Sequence, residues 1–382
     1  MKLCYFDYNA TTPLSCAASE AWLKASKDSW LNPSSPYRSA AAVRVCYEAS
    51  RESLAKQLFA APERIVFTSG ATEANNEVFR YWARQLPADS LIGVNPTEHP
   101  SVIEAAETFL GERVEWLPIK SDGRVDIESL SERVWSGKIA AVSVMAANNE
   151  TGVLQPWQEI ATICSKANVS YHCDASQWVG KMPLVGLSEC SYVTACAHKF
   201  GGPKGVGFLI LPGEQRDFSI LLGGVQEKSH RAGTEDVAGV LAMLAALNVS
   251  KMQDPSGRDD FIKCILVEIP GTILVGHEAP RLWNTVSLLM PRHGSMRWIR
   301  ALEKSGFLIS AGSACSTGNA SVSPSLLAMG IDPIVAGRAL RISSGAKTTA
   351  QDWQALAKAM VNAYSLLNAE VRAEKSSIIS FD

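Results

Sequence analysis

One lysine of this chain, Lys199, is placed where its amine can do covalent chemistry. It lies in AHKFGGPKGVGFLI, a glycine-rich bend between two candidate strands, where a backbone can approach a flat cofactor closely. A lysine amine there can form an imine with an aldehyde. The alternative is an ordinary surface lysine beside a turn. The nearby GPKG is not a Walker phosphate loop, because the spacing G-x-x-x-x-G-K-[ST] is missing.

A carboxylate, Asp174, follows a candidate strand upstream of that lysine. In YHCDASQ it comes just past the end of an apolar run, at the carboxyl edge of the sheet where open α/β folds bind ligands. A buried carboxylate needs a cationic partner, and a protonated pyridine nitrogen would supply one. A salt bridge to a protein arginine is the alternative. Gln177, three residues on, could hydrogen-bond a phenolic oxygen of the same ring.

Two further segments end strands at the same edge. FTSGATEANN predicts a strand, the turn Ser69-Gly70-Ala71-Thr72 and then a helix, whose N-terminal N–H groups and Thr72 hydroxyl suit a phosphate. Simple N-capping by Ser69 or Thr72 is the alternative. His99, in NPTEHPSV, could lay its ring on a cofactor face. A capping or core histidine is the alternative there.

The segment SAGSACSTGNASVS, residues 310–323, carries a single cysteine, Cys315, among Ala, Gly, Ser and Thr. Val322 is its only sizeable apolar side chain. Because such a loop has little apolar surface to anchor it, we predict that it is mobile.

These residues require a scaffold, and the sequence predicts a fold of two domains. From about residue 60 to 211, short β-branched runs alternate with stretches of helical period, which is typical of βαβ units and a largely parallel sheet. After about residue 250 the pattern indicates a smaller α+β unit with a helix over Met296–Lys304 and a last helix near Ala350–Arg372. We predict a large domain over residues 15–250 and a small one from residues 1–14 and 251–382. The predicted strands are Ile65–Thr68, Leu91–Val94, Val114–Leu117, Ala140–Met145, Val169–His172, Tyr192–Ala195, Val206–Leu211, Thr272–Val275 and Thr285–Leu289.

The composition of the chain favours some classes of ligand and partner over others. The chain has 382 residues, with 36 Lys plus Arg against 38 Asp plus Glu and no long run of like charge, which favours a small-molecule ligand over nucleic acid or a membrane. Nine cysteines without a C-x-x-C pair suit neither a disulfide scaffold nor a zinc site, so no metal is expected. The absence of a signal-like or membrane-spanning stretch predicts a cytoplasmic protein.

Nine motifs, spread from about residue 5 to 345, together resemble one family, the cysteine desulfurases among the class V, fold-type I pyridoxal-phosphate (PLP) enzymes. They occur in the family's order: YNATTP, TSGATEANN, TEHPSV, NNETGVLQP, HCDASQ, AHKFGGPKGVG, RAGTED, SAGSACSTG and LRISSG. The resemblance implies an α/β fold with a mostly parallel seven-stranded sheet flanked by helices, plus a smaller α+β domain. It also implies a homodimer.

The resemblance further implies roles for individual residues. Lys199 would carry PLP and move the Cα proton, Asp174 would keep the pyridine nitrogen protonated, and His99 would stack on the ring. Gln177 and Asn149 would surround the ring oxygen and the substrate. The remaining implied positions are Ala71, Thr72, Cys196 and His198 around the phosphate, Thr234 from the other subunit, Arg341 on the substrate carboxylate, and Asn32 near the active site.

In this resemblance Cys315 is the nucleophile. Its thiolate would take sulfur from L-cysteine, leaving alanine and a persulfide that passes to an acceptor protein in iron–sulfur assembly or thiolation. The S-[AS]-G-S-A-C context is similar to that of the long-loop group I enzymes. Alternatives are a selenocysteine lyase, another class V PLP reaction such as transamination, or a non-catalytic scaffold that kept the fold. One departure is Cys196, which stands where the family usually has Ser.

Overall fold

In a computed structural model of the chain, the structure describes residues 3–213, 215, 217–312 and 322–378, with side chains up to residue 370. Its strands, numbered in chain order, are β1 (Cys4–Tyr5), β2 (Ile65–Thr68), β3 (Leu91–Val94), β4 (Val114–Trp116), β5 (Ile139–Ser143), β6 (Ser170–Asp174), β7 (Tyr192–Cys196), β8 (Gly207–Ile210), β9 (Ile273–Leu274), β10 (Thr285–Leu289), β11 (Phe307–Leu308), β12 (Ser310–Ala311) and β13 (Ala339–Ser343).

The helices of the described part are α1 (Cys16–Asp28), α2 (Arg38–Leu58), α3 (Ala71–Gln85), α4 (Pro100–Leu110), α5 (Ile127–Trp135), α6 (Trp157–Lys166), α7 (Val237–Val249), α8 (Ser256–Glu268), α9 (Ser295–Lys304), α10 (Pro324–Ala328), α11 (Pro333–Ala336) and α12 (Ala350–Ile378). None of them is long and apolar enough to cross a bilayer.

The large sheet has seven strands in the order β2-β8-β7-β6-β5-β3-β4. Neighbours from β4 to β7 pair in parallel, whereas β8 runs antiparallel to both β2 and β7. The predicted α/β class and mostly parallel seven-stranded sheet are therefore confirmed. Because β2, β3, β5, β6 and β7 all point the same way, their carboxyl ends share one edge. The register sets Thr68 and Cys196 on either side of Gly207 at that edge.

Apolar faces on both sides of this sheet are covered by helices, as burial of a strand on both faces requires. α3 and α4 pack on one side, where the α3 side chains Ala74, Val78 and Trp82 are fully buried. Tyr81, on the same helix, is only partly buried, and its hydroxyl donates to Asp217. The other face is covered by residues from α2, α5, α6 and α7.

A second, antiparallel sheet has the order β12-β13-β10-β9. Its strand β10 lies where it was predicted, and α9 begins one residue earlier than predicted. The last helix continues to Ile378, so the prediction ended it too early. The segment before α1 joins this small sheet, since Asp7 bridges Ser343. The domain limits at residues 14/15 and 250/251 stay a prediction.

Candidate functional site

A cavity of about 550 Å³ opens at the shared carboxyl edge of the large sheet. Its walls come from the ends of β2, β6 and β7, the starts of α3 and α4, and the segment before α1. Ten residues predicted for the site are Ala71, Thr72, His99, Asn149, Asp174, Gln177, Cys196, His198, Lys199 and Arg341, and all but Arg341 line this cavity. The fold therefore brings together residues that lie up to 128 positions apart in the sequence, from Ala71 to Lys199.

Lys199 ends a short 3₁₀ turn, Ala197–Lys199, directly after β7. Its Nζ donates to the backbone carbonyls of Asn9 (2.6 Å) and Ala10 (2.9 Å). The amine thus lies at the floor of the cavity rather than on the outer surface. An ordinary surface lysine, the alternative considered from the sequence, does not describe this position.

Asp174 is the last residue of β6 rather than the first residue after it, and it is buried. Its Oδ2 accepts from Asn75 Nδ2 (2.9 Å) and its Oδ1 from the Ser176 N–H (2.8 Å). Both donors are neutral, and among the described residues Asp174 forms no ion pair. The salt bridge to an arginine, the alternative considered above, is absent from that part of the chain. A buried carboxylate with this donor set fits a cationic ring nitrogen as its partner.

The start of α3 forms one wall, and its N-cap is Gly70, with no side chain capping the helix. N-capping by Ser69 or Thr72 is therefore wrong as an explanation of this turn. Gly207 is what lets the turn lie so close to the sheet: a Cβ there would approach Gly70 Cα to 2.7 Å and Ala195 O to 2.5 Å. The uncapped helix end offers backbone N–H groups and a positive dipole to an anion such as phosphate.

Cys196 and His198 line the same wall. Burial raises the pKa of the Cys196 thiol to about 11, so it is a neutral thiol at pH 7. Burial, followed by the nearby Lys199 ammonium, lowers the pKa of His198 to about 4, so its ring is neutral as well. His198 Nδ1 lies 3.2 Å from Thr11 Oγ1.

His99 is the N-cap of α4, and its Nδ1 accepts from the Ser101 N–H at 3.1 Å. The capping alternative is thus correct, yet the same ring also lines the cavity. Burial lowers the pKa of His99. Since Nδ1 accepts a hydrogen bond, the proton of the neutral ring resides on Nε2.

Glu98, which the sequence analysis overlooked, lies fully buried beside His99. Its Oε1 accepts from the Met145 N–H, and Oε2 has no hydrogen-bond partner among the described residues. Burial, and then the charge of Asp174, raise the pKa of Glu98 well above its usual range. The neutral, protonated form of this carboxyl group is therefore favoured in the fold.

A second cavity of about 340 Å³ adjoins the first and shares Glu98, His99, Asn149 and Lys199 with it. Arg341, on β13, is buried at this cavity. Its Nη2 pairs with Asp7 Oδ1 at 2.7 Å and its Nη1 donates to Asn149 O at 3.3 Å. These contacts use two of its five N–H donors, and its Nε is buried without a partner among the described groups.

Two of the predicted site residues that the structure describes, Asn32 and Thr234, do not line these cavities. Asn32 is exposed, and its Oδ1 accepts from the Ser34 N–H at 2.8 Å. Thr234 is exposed and lines a small neighbouring cavity of about 70 Å³. Cys315 lies outside the described residues. Nor does the described part of the chain contain a cluster of three or more His, Cys, Asp or Glu side chains fit to hold a metal ion.

The profile of the aminotransferase class-V family matches residues 4–356. The chain belongs to the class-V aminotransferase family. An "IscS-like cysteine desulfurase" of Mycobacterium tuberculosis is 36% identical to this class-V chain over 360 residues, covering 90% of this chain and 91% of the relative. A "Cysteine desulfurase IscS" of Dictyoglomus turgidum is 33% identical, with 91% of each chain covered.

Solved structures agree with these relatives. A "NifS-like protein" superposes on this class-V chain with a TM-score of 0.86 at 28% identity, covering 96% of this chain and 100% of the other. A structure titled "SspA in complex with cysteine" gives 0.77 at 26% identity, covering 89% and 98%. The predicted resemblance to cysteine desulfurases is confirmed.

Proposed function

We propose that this chain is a PLP-dependent cysteine desulfurase that converts L-cysteine and the Cys315 thiol into L-alanine and a Cys315 persulfide. The proposal is carried by one observation: the Lys199 amine and the Asp174 carboxylate, which has no cationic partner among the described residues, face the same cavity. An amine that can form an imine and an anion that can hold a pyridinium are the two groups that PLP requires.

The other walls suit the rest of PLP. The uncapped start of α3 at Ala71 and Thr72 fits the phosphate, and the flat ring of His99 fits a stacking partner. Gln177 can donate to the phenolic oxygen through Nε2. When bound, PLP supplies an electron sink that takes up the electron pair released when bonds at the substrate Cα and to the sulfur break.

Asp174 would hold the ring nitrogen protonated, because its carboxylate is fixed by Asn75 and the Ser176 N–H. The Lys199 amine, which lines the same cavity, would move the substrate Cα proton. His99, neutral with its proton on Nε2, can donate that proton at the cavity side. These assignments use the positions of the groups around the cavity and the directions of their pKa shifts.

The second cavity suits an amino acid carboxylate. Arg341 has a buried Nε without a described partner, and a guanidinium binds carboxylates well. Asn149 lines both cavities and would contact both the substrate and the ring. A free L-cysteine bound there would be flanked by Arg341 on one side and Lys199 on the other.

Cys315 is proposed as the sulfur acceptor. Its thiolate attacks the substrate sulfur, an S–S bond forms as the C–S bond breaks, and protonation of the remaining carbon completes alanine. The persulfide then passes to an acceptor protein. We further propose a homodimer in which Thr234 comes from the other subunit. A reducing, cytoplasmic setting is supported by the eight cysteines that the structure describes, all of which are free.

The test is to purify the protein with PLP and measure its absorbance, then assay sulfide and alanine after addition of L-cysteine. Cys315→Ala should keep the cofactor absorbance and lose sulfide release. Cys264→Ala, which changes an exposed free cysteine on α8, is the matched control and should release sulfide normally. Normal sulfide release by Cys315→Ala would refute the mechanism, and a protein that takes up no PLP would refute the function. Rates far higher with selenocysteine than with cysteine would indicate a selenocysteine lyase instead.

A further inference from the structure

Lys181 is a buried amine that the proposed reaction does not use. It lies four residues after Gln177 and is only 4% exposed. Its Nζ donates to Asn9 Oδ1 (2.8 Å) and to Gln177 Oε1. No carboxylate lies within ion-pair distance of this Nζ in the described part of the chain.

The electrostatic surroundings of Lys181 are unfavourable for a charged amine. Burial lowers its pKa well below the usual range, and the cations Lys199 and Arg341 lower it further, with only Cys196 acting in the opposite sense. Burying a polar group without full compensation destabilises a fold, and an apolar side chain would avoid the loss. The buried Lys181 amine is therefore best explained by its effect on its two hydrogen-bond partners, Gln177 and Asn9.

The first partner is the side-chain amide of Gln177. Its Oε1 accepts from Lys181, while its Nε2 donates to the Asn9 backbone carbonyl at 3.0 Å. The two ends of an amide exchange places by a half-turn, but here a half-turn would set the NH₂ group against another donor. Lys181 thus fixes which end of Gln177 faces the cavity. The described contacts occupy one Nε2 hydrogen and leave the second for a group bound there.

The second partner is Asn9, which is 1% exposed and joins the site to the small sheet. Its Oδ1 accepts from Lys181 and from Asn284, so its Nδ2 faces Thr285 Oγ1 (2.9 Å) and Asn149 O (3.1 Å). The backbone carbonyl of the same residue accepts from the Lys199 amine. One residue therefore connects the two lysines.

We propose that Lys181 is a positioning residue of this site, which aims the Gln177 Nε2 donor at the phenolic oxygen of PLP and holds Asn9 against Lys199. This inference rests on the proposed function. It predicts that Lys181 controls how tightly PLP is held and at which pH its absorbance changes, without itself touching the substrate.

The test compares Lys181→Met, which removes the donor and keeps the length, with Lys181→Arg, which keeps donors. PLP affinity, the pH titration of the cofactor absorbance and the thermal midpoint are measured on each holoenzyme. The matched control is Arg64→Met, at the opposite end of β2, where the guanidinium donates to the backbone carbonyls of Leu211, Ser188 and Cys190. Both Met variants remove a basic group that donates to uncharged oxygens.

We expect Lys181→Met to weaken PLP binding about tenfold, the effect of about one net hydrogen bond. The pH midpoint of the absorbance change should rise, since an oxyanion that is no longer held by a well-oriented donor holds its proton more strongly. Lys181→Arg should restore part of the lost PLP affinity and reverse part of the rise in the pH midpoint. Arg64→Met should lower the thermal midpoint and leave PLP affinity and titration unchanged.

Unchanged affinity and titration in Lys181→Met, whatever its thermal midpoint, would overturn the inference and leave Lys181 a purely structural residue. If that variant does not fold, Lys181→Gln takes its place with the same two outcomes. The proposed function fails separately, because it fails if the unaltered protein takes up no PLP. If the unaltered protein binds PLP and Lys181→Met changes neither the PLP affinity nor the pH titration, only the positioning role is refuted.

Discussion

Glu150 makes the stability of this fold depend on pH in a way that one substitution can isolate. The carboxyl group is buried, and it accepts a hydrogen bond from Ser323 Oγ. Burial raises its pKa from 4.5 to about 7, against the smaller opposing effects of Ser323 and of Arg341. Gln at this position keeps an oxygen for Ser323 but cannot ionise.

The size and sign of the effect follow from that shift. A difference of about 2.5 pH units, at about 1.4 kcal/mol per unit, amounts to about 3 kcal/mol. Because the pKa is higher in the folded state, the contribution is complete below pH about 4.5 and is lost as the pH rises through about 7. With an unfolding entropy of about 2.1 cal/mol/K per residue, 382 residues give about 0.8 kcal/mol per kelvin, so the loss corresponds to about 4 °C.

The assay is the thermal midpoint of Glu150→Gln minus that of the unaltered protein, taken between pH 5 and pH 8. We expect this difference to grow by about 3 °C in favour of Glu150→Gln as the pH rises, since part of the contribution is already lost at pH 5. Glu132→Gln, which changes an exposed residue of α5, is the control and should give a difference that stays flat. A flat difference for Glu150→Gln as well would refute the burial argument.

Three further predictions concern the site. Borohydride reduction should attach PLP to the unaltered chain and not to Lys199→Ala, as read by intact mass; a label found on Lys181 would contradict the assignment. Arg341→Met should raise KM for cysteine about 30- to 100-fold, because a charge-assisted hydrogen bond to the substrate carboxylate is lost. An unchanged KM, measured by steady-state sulfide release, would contradict this. Cys196→Ser should tighten PLP binding about two- to tenfold, because a hydroxyl donates more strongly than a buried thiol, and equilibrium dialysis showing equal or weaker binding would contradict this.

Much of the frame was predictable because its signals are local. The strands Ile65–Thr68, Leu91–Val94 and Thr285–Leu289 were predicted with their observed limits, since each is a short apolar run bounded by polar or turn residues. The two-residue strands β1, β11 and β12 carry no such signal, because a pair of residues has no measurable period. They form only where distant segments meet.

The residues of the site likewise fall into those that the local sequence predicts and those that it does not. Lys199, Asp174 and His99 were predicted because each follows a recognisable strand and belongs to a distinctive motif. Glu98 and Lys181 were overlooked, since nothing local tells a buried carboxyl or amine from an exposed one. Their burial and their pKa shifts arise from residues far away in the sequence, and Lys181 contacts Asn9 across 172 positions.

The contacts of residues 4–9 set an order of events during synthesis. These residues are translated before the backbone and side-chain groups that fix them, which lie at Thr285, Phe307–Leu308 and Ser343. At about 5–20 residues per second, they wait on the order of 20 to 70 seconds for those partners. The carbonyl of Asn9 that accepts from the Lys199 amine is therefore fixed only after β13 has been made, so a nascent chain can complete its large sheet well before it can hold this amine in place.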